Sequence, residues 1–145
     1  MILSNPLLLE FKIKARVSKV WHALTDSHAM KHWFFLLDEF SPVPGFEFTF
    51  SAGPDENLLY IHHCMVMEAI PNHKLSFNWC YEGIPGYSEV SFNLMPEGHF
   101  TVIQFLHQGL DSFPANHPAL KRENFEDAWK YIINIGLRNY LENGE

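Results

Sequence analysis

Apolar and polar residues alternate along several short segments of the chain, and this pattern predicts the strands of a sheet. Six segments show the alternation, each bounded by turn residues, at about 7–15, 45–52, 59–69, 75–81, 87–95 and 100–108. In the first of them Leu9, Phe11 and Ile13 share one face, and charged residues occupy the other. Successive strands joined by short turns predict an antiparallel meander, because parallel neighbours need long crossover connections.

Helical patterns lie after the first strand and at the end of the chain. Ser18 is the predicted N-cap of a short helix that ends at Leu24. Asp26 or Ser27 is the predicted N-cap of a second short helix that ends near Phe34. Apolar residues at helical spacing then predict a long amphipathic helix through Phe125, Trp129, Ile132, Ile133, Gly136, Leu137 and Tyr140. The order predicts an α+β fold in which a curved six-stranded antiparallel sheet packs against the C-terminal helix. Gly136, inside that helix, would permit a close approach to a neighbouring element.

The length and composition predict a single domain over residues 1–145. The chain is 47% hydrophobic and 15% aromatic, which is enough to form a core without disulfides or metals. Its net charge of -7 argues against a nucleic-acid partner, since such proteins carry a basic patch. Met1–Pro6 lacks the pattern of a signal peptide, and no apolar run is long enough to span a membrane. We therefore expect a cytoplasmic protein.

Two cysteines, Cys64 and Cys80, fall in predicted strands on either side of a turn at 71–73. They would face each other if the hairpin were symmetric about Asn72, but a register slip of one residue would separate them. Free, buried thiols are the favoured interpretation, since the cytosol keeps cysteines reduced.

Several local motifs resemble the SRPBCC (START-like, helix-grip) superfamily and, within it, the heat-shock-protein-90 ATPase activator homologue family. The matching residues are Val20-Trp21, Ala23 to Asp26, Trp33, Pro71, Leu75, Phe77, Trp79, Thr101, His107, Gly109, Trp129, Leu137, Tyr140 and Leu141. They extend from about Leu9 to Leu141. Leu110 departs from the family pattern, and 112–121 has no match.

The resemblance implies a cavity between the concave face of the sheet and the last helix, used across the superfamily for apolar or amphipathic small molecules. The residues predicted to bind a ligand there are Met65, Phe77, Trp79, Tyr81, Phe92, Phe105, His107, Trp129 and Ile133. The aromatic members also fit a closely packed core, which is the alternative for any one of them. A chaperone partner is not expected, because the activators resemble this chain only in their C-terminal part.

Histidines on predicted inward faces are the candidate acid or base groups. His107 alternates with Phe105, and His63 shares a face with Met65. Either could orient a ligand or transfer a proton near neutral pH, or could be a core histidine with satisfied hydrogen bonds. Glu89 and Tyr81 are further polar candidates.

Metal and nucleotide sites have little support in the sequence. His28 and His32 have the spacing of two zinc ligands on one helix face, but no third ligand is evident. His62 and His63 are adjacent in a strand and must point to opposite faces. Glycine-rich nucleotide motifs are absent from the sequence, so no metal or cofactor is predicted.

Three functions remain open. Binding of a hydrophobic small molecule is favoured, since no nucleophile with a paired base stands out. The alternatives are a cyclase, dehydratase or hydrolase that uses a cavity histidine, and a chaperone-associated interaction module. A predicted exposed edge strand would also allow a homodimer.

Overall fold

The strands form one antiparallel sheet in the computed structural model, which describes residues 6–55 and 57–143. Their bounds are β1 Leu7–Ile13, β2 Glu47–Asp55, β3 Leu58–Ile70, β4 Lys74–Tyr81, β5 Ile84–Glu97 and β6 Phe100–Gln108. The spatial order is β1-β6-β5-β4-β3-β2, so the two edges are β1 and β2. The predicted six-stranded meander is confirmed.

Two strands are longer than predicted. β2 continues through Gly53 to Asp55, and β5 begins at Ile84, where turns were predicted. Gly53 suits this course, because a Cβ atom there would collide with the carbonyl of Leu58 on the neighbouring strand. The described residues do not include Glu56, which belongs to the predicted turn after β2. They also do not include Met1–Asn5, for which the sequence predicts no signal peptide.

Two short helices follow β1, as predicted: α1 Val17–Thr25 and α2 Ser27–Met30. The predicted cap at Ser18 is wrong, because Val17 is already helical and Arg16 holds the N-cap position without a side-chain hydrogen bond. The cap at Asp26 is confirmed, since its Oδ2 accepts from the Ala29 N–H at 2.9 Å. α2 ends at Met30, before the predicted end near Phe34.

The C-terminal helix has three parts: α3 Arg122–Lys130, a π-helical segment Tyr131–Leu137, and α4 Arg138–Glu142. It buries every fourth residue, namely Phe125, Trp129, Ile133, Leu137 and Leu141. In a regular α-helix a four-residue series of this length would drift by about 160° around the axis. The wider π-helical turns compensate for this drift and keep one face on the sheet. None of the helices among the described residues is long and apolar enough to cross a membrane.

A β-bulge sets the register of the β3–β4 hairpin. Near the turn the pairs are symmetric about Asn72, as in Ile70 with Lys74. A shift between Val66 and Glu68 then moves every later pair by one residue. Cys80 consequently lies opposite His63, and both cysteines are free thiols. Burial raises the pKa of Cys64.

Candidate functional site

A cavity of about 550 Å³ opens between the β2–β4 side of the sheet and the first half of the C-terminal helix. A short 3-10 turn, Pro118–Leu120, lies beside α3 and completes its rim. The walls consist of Phe35, Ala52, Gly53, Leu58, Tyr60, His62, Trp79, Tyr81, Pro118, Ala119, Leu120, Asn124, Phe125, Ala128, Trp129, Tyr131 and Ile132. These described residues include no Lys, Arg, Asp or Glu.

Stacked and edge-on aromatic rings form the inner wall of the cavity. The Trp79 ring lies 5.3 Å from that of Trp129 and 5.0 Å from that of His62, centroid to centroid. The Phe35 ring stacks on that of Phe50 in β2, with centroids 4.5 Å apart, and this pair extends the aromatic wall to β2. Such contacts each contribute about 0.5–1.5 kcal/mol beyond the burial of area, so the wall is a stable surface.

His62 is the polar group most deeply set in this wall, at 5% exposed. Its Nδ1 lies 2.9 Å from the Tyr60 carbonyl oxygen. A carbonyl only accepts, so Nδ1 carries the proton and Nε2 of the neutral ring is an acceptor. Burial lowers the pKa of His62 to about 4, because the charged ring would lose its hydration. The histidine is therefore neutral at ordinary pH.

The ring of His62 lines the cavity. Among the described residues, its hydrogen bond within bonding distance is that of Nδ1 with Tyr60, and the Phe50 backbone also interacts with the ring. The one fully enclosed polar side-chain atom without a partner in this part of the chain is Ser76 Oγ. Nε2 of His62 is therefore not an enclosed atom without a partner, and the open space next to its ring is the cavity.

Tyr81 lies next to His62 and supplies a hydroxyl group. The two residues are opposite each other in the β3–β4 register, with ring centroids 4.6 Å apart. Tyr81 Oη accepts a hydrogen bond of 2.8 Å from Trp79 Nε1, whose N–H can only donate. The Tyr81 O–H proton is thus left for another acceptor. Burial raises the pKa of Tyr81, so the hydroxyl keeps that proton.

His107 lies behind the cavity in a closed chain of hydrogen bonds. Trp129 Nε1–H donates to His107 Nδ1 at 3.1 Å, which places the ring proton on Nε2. Nε2–H donates to Ser88 Oγ at 2.9 Å, and Ser88 donates to the Trp79 carbonyl at 2.8 Å. The ring is 0% exposed, and burial lowers its pKa to about 3. Both nitrogens are occupied, so His107 joins the C-terminal helix to the sheet.

The predicted ligand-binding residues divide into three groups. Trp79, Tyr81 and Trp129 line the cavity. The core below it, outside the lining, holds Phe77, Phe92, Phe105, His107 and Ile133. Met65 and the candidate acid or base His63 point to the opposite face of the sheet.

The predicted inward orientation of His63 and Met65 is wrong, and the β-bulge is the physical reason. A hairpin symmetric about Asn72 would place His63 opposite the inward Tyr81. The bulge gives that position to His62 instead, and opposite residues share a face. His63 Nε2 is 3.0 Å from an exposed Glu82 carboxylate, outside the cavity. Glu89 also lies on the outer face, where its Oε2 accepts from the Tyr87 hydroxyl at 2.9 Å.

Sequence reasoning missed the residues that close the cavity. Phe35 follows α2, and Leu120 lies in the segment that matched no family motif. Asn124 Nδ2 donates to the Pro118 carbonyl at 2.7 Å, which ties the short 3-10 turn to α3. The one available signal was the apolar pair Ala119–Leu120 directly after Pro118, which is too short to assign to a face.

His28 lies in α2 and His32 in the turn after it, so the predicted shared helix face is not formed. The His28 and His32 rings lie edge to face, with centroids 5.9 Å apart, and His32 stacks on Tyr140 at 5.5 Å. Within residues 6–55 and 57–143, no group of three side chains suited to a metal ion comes together.

Comparisons with known proteins confirm the type of fold. A sequence model of the family described as Activator of Hsp90 ATPase homolog 1-like protein matches residues 14–142. No curated protein sequence matches the chain. The solved structure of protein MLL2253 from Mesorhizobium loti is similar at a TM-score of 0.77 and 24% identity, over 97% of this chain and 99% of that one.

Two further solved structures have the same architecture. DynU16, from the dynemicin biosynthetic locus, is similar at a TM-score of 0.78 and 20% identity over 98% of this chain. The match covers 49% of DynU16, so this chain spans about half of that protein. The Aha1 dimer from Colwellia psychrerythraea is similar at a TM-score of 0.71 and 20% identity, over 97% of this chain and 98% of that one. At such identities the likeness establishes the helix-grip fold alone.

Proposed function

Since this chain belongs to the Activator of Hsp90 ATPase homolog 1-like family, and an uncharged cavity opens beside its last helix, we propose that it binds an apolar or amphipathic small molecule there. The observation that carries the proposal is the cavity of about 550 Å³ itself. Small-molecule sites occupy roughly 300–1,000 Å³ and combine apolar walls with a few polar groups. Trp79, Trp129 and Phe35 supply such walls, and the likeness to a protein from a biosynthetic locus is consistent with this role.

A catalytic role is the alternative, and His62 supports it better than His107 or His63. Its ring lines the cavity, whereas His107 lies outside the lining with both nitrogens occupied. However, the described lining holds no Ser, Thr, Cys or Lys that could act as a nucleophile beside it. Binding is therefore the function that the geometry supports best. We do not propose a chaperone partner, although the family description names one. The proposal of small-molecule binding depends on the cavity and not on that description.

We also propose that the chain forms a homodimer. β2 has a neighbour on one side only, which leaves backbone groups available for pairing, whereas at the β1 edge Arg138 already donates to the Lys12 carbonyl. The similar Aha1 structure is a dimer, which supports this assembly for a chain of the same fold.

A cavity-blocking substitution tests the binding proposal. Ala128→Trp places a large ring at the rim beside Trp129, and Asp127→Trp adds the same ring at an exposed position outside the lining. We expect Ala128→Trp to weaken binding of uncharged polyaromatic probes at least tenfold in calorimetric titrations, and Asp127→Trp to bind as the unmodified chain does. Equal affinity in the two variants, or no saturable binding by the unmodified chain across the probes, would overturn the proposal.

A further inference from the structure

We propose that His62 and Tyr81 form a recognition pair for a hydroxyl group on an uncharged, largely aromatic ligand. This inference rests on the proposed binding function and assigns the ligand's chemical class. It follows from the arrangement of one unused acceptor, one unused donor and an uncharged aromatic wall.

The unused acceptor is His62 Nε2. The hydrogen bond from Nδ1 to the Tyr60 carbonyl oxygen, 2.9 Å long, places the ring proton on Nδ1 and leaves Nε2 as an acceptor on a ring that lines the cavity. The ring is also held in place by stacking on Phe50 at 4.4 Å. A fixed acceptor in an apolar wall favours a ligand that brings a hydrogen-bond donor, because it is costly to leave a buried polar atom without a partner.

The unused donor is the Tyr81 hydroxyl. Trp79 Nε1–H occupies one lone pair of its oxygen at 2.8 Å, which orients the group and leaves its proton free. The Phe113 ring, edge-on at 5.3 Å, supports the tyrosine from the other side. Tyr81 therefore offers a hydrogen bond to a ligand oxygen.

Both groups belong to the lining of one cavity, and a single ligand hydroxyl would lie between them. Their rings lie side by side, with centroids 4.6 Å apart, on paired positions of adjacent strands. An alcohol or phenol oxygen can donate its proton to Nε2 while it accepts from the tyrosine. A carboxylate has no proton for Nε2, and an ammonium group has no lone pair for the tyrosine.

The described lining carries no charged side chain, and this also favours an uncharged ligand over an ionic one. A buried anion or cation needs a partner of opposite charge to offset its lost hydration. The lining residues described here offer none, and the inner wall is built of the aromatic rings of Phe35, Trp79 and Trp129. An uncharged aromatic alcohol matches both the wall and the polar pair.

A naphthalene series tests this selection with calorimetry. Naphthalene-methanol carries the hydroxyl, methylnaphthalene lacks it, and naphthoate and naphthylmethylammonium carry opposite charges. We expect the alcohol to bind about tenfold more tightly than methylnaphthalene, since the hydrocarbon leaves both protein groups unpaired. The two ions should bind at least tenfold more weakly than the alcohol.

Four variants assign the preference to the pair. His62→Phe and Tyr81→Phe should each reduce the tenfold preference for the alcohol to about twofold or less, with methylnaphthalene still bound. His63→Phe and Tyr87→Phe make the same changes on the outer face and should keep the full preference. If Tyr81→Phe does not fold, because Trp79 loses its acceptor, His62→Phe alone decides the result.

The outcomes separate this proposal from the one on which it rests. If methylnaphthalene and the alcohol bind equally, if an ion binds more tightly than the alcohol, or if the inner variants keep the preference, the recognition pair is refuted while the binding cavity stands. If no member of the series binds, both proposals fail.

Discussion

Two buried histidines show how the contacts of a single ring decide its role. His107 has both nitrogens in hydrogen bonds, to Trp129 and Ser88, so its ring is complete without a ligand. His62 has one nitrogen hydrogen-bonded to a backbone carbonyl, and its ring lines the cavity. Burial lowers the pKa of both rings, but only the ring of His62 borders open space.

The same burial predicts that acid destabilises the fold. The folded pKa values of about 4 for His62 and about 3 for His107 lie below the unfolded value of 6.5. The unfolded chain therefore binds more protons as pH falls through 6.5, and stability is lost from there toward pH 3. We expect each histidine to remove about 2 kcal/mol of the free energy of unfolding at pH 5 relative to pH 7.5. Urea unfolding at the two pH values measures the difference.

Variants attribute the loss to particular rings. His62→Phe should remove about half of the difference between pH 7.5 and pH 5, since one of the two titrating rings is gone. His99→Gln, at an exposed position in the turn after β5, should leave the difference as it is. A protein equally stable at both pH values would contradict the assignment of buried neutral histidines.

Packing against Trp33 constrains the helix at Gly136. A Cβ atom added there would lie 3.2 Å from the Trp33 carbonyl oxygen, which is tighter than ordinary contact. Trp33 cannot easily retreat, because its Nε1 donates to the Ala23 carbonyl at 2.7 Å and its side chain is buried. The predicted close approach of the C-terminal helix at Gly136 is therefore found in the structure.

A larger side chain at this position should force the helix away from Trp33. We expect Gly136→Leu to lower the free energy of unfolding by about 1–3 kcal/mol, the usual effect of overpacking. Asn139→Leu, exposed in α4, is the matched control and should change stability by less than about 0.5 kcal/mol. Urea unfolding measures both variants, and a Gly136→Leu protein as stable as the control would show that the contact is not tight.

Strand faces could be predicted where the register is regular, and not beyond a bulge. The alternation of Val90, Phe92 and Leu94 gave the correct inward face, because β5 pairs with β6 without a shift along this stretch. In β3 both faces carry apolar residues, so the sequence offers no pattern that identifies the bulge after Val66. Because of the bulge, His62 and not His63 lies opposite Tyr81, and His62 is therefore the histidine of the candidate site.

At the scale of the whole molecule, the cavity combines distant parts of the chain. Phe35 follows the short helices, His62 lies in the middle of the sheet, and Leu120 precedes the last helix. No local pattern relates these positions, since each side chain comes from a different element. The fold and the three lining residues Trp79, Tyr81 and Trp129 could therefore be predicted, whereas the closure of the cavity could not.

The open β2 edge of the sheet gives a prediction for assembly. We expect light scattering to report a mass above that of the monomer at high protein concentration and a return to the monomer mass on dilution. Pairing through β2 satisfies the hydrogen bonds of this edge, which is the physical reason for the expectation. The monomer mass at every concentration would contradict the homodimer.

The burial of every fourth residue in the last helix has a consequence for tracing ancestry. Phe125 and Leu141 share a face only because the π-helical segment at 131–137 adds backbone between them. A relative with one residue fewer in that segment could fold as a regular α-helix there and present the same face at both ends. Gaps in alignments of related sequences should therefore be allowed within this helix, at 131–137, as they usually are only in loops.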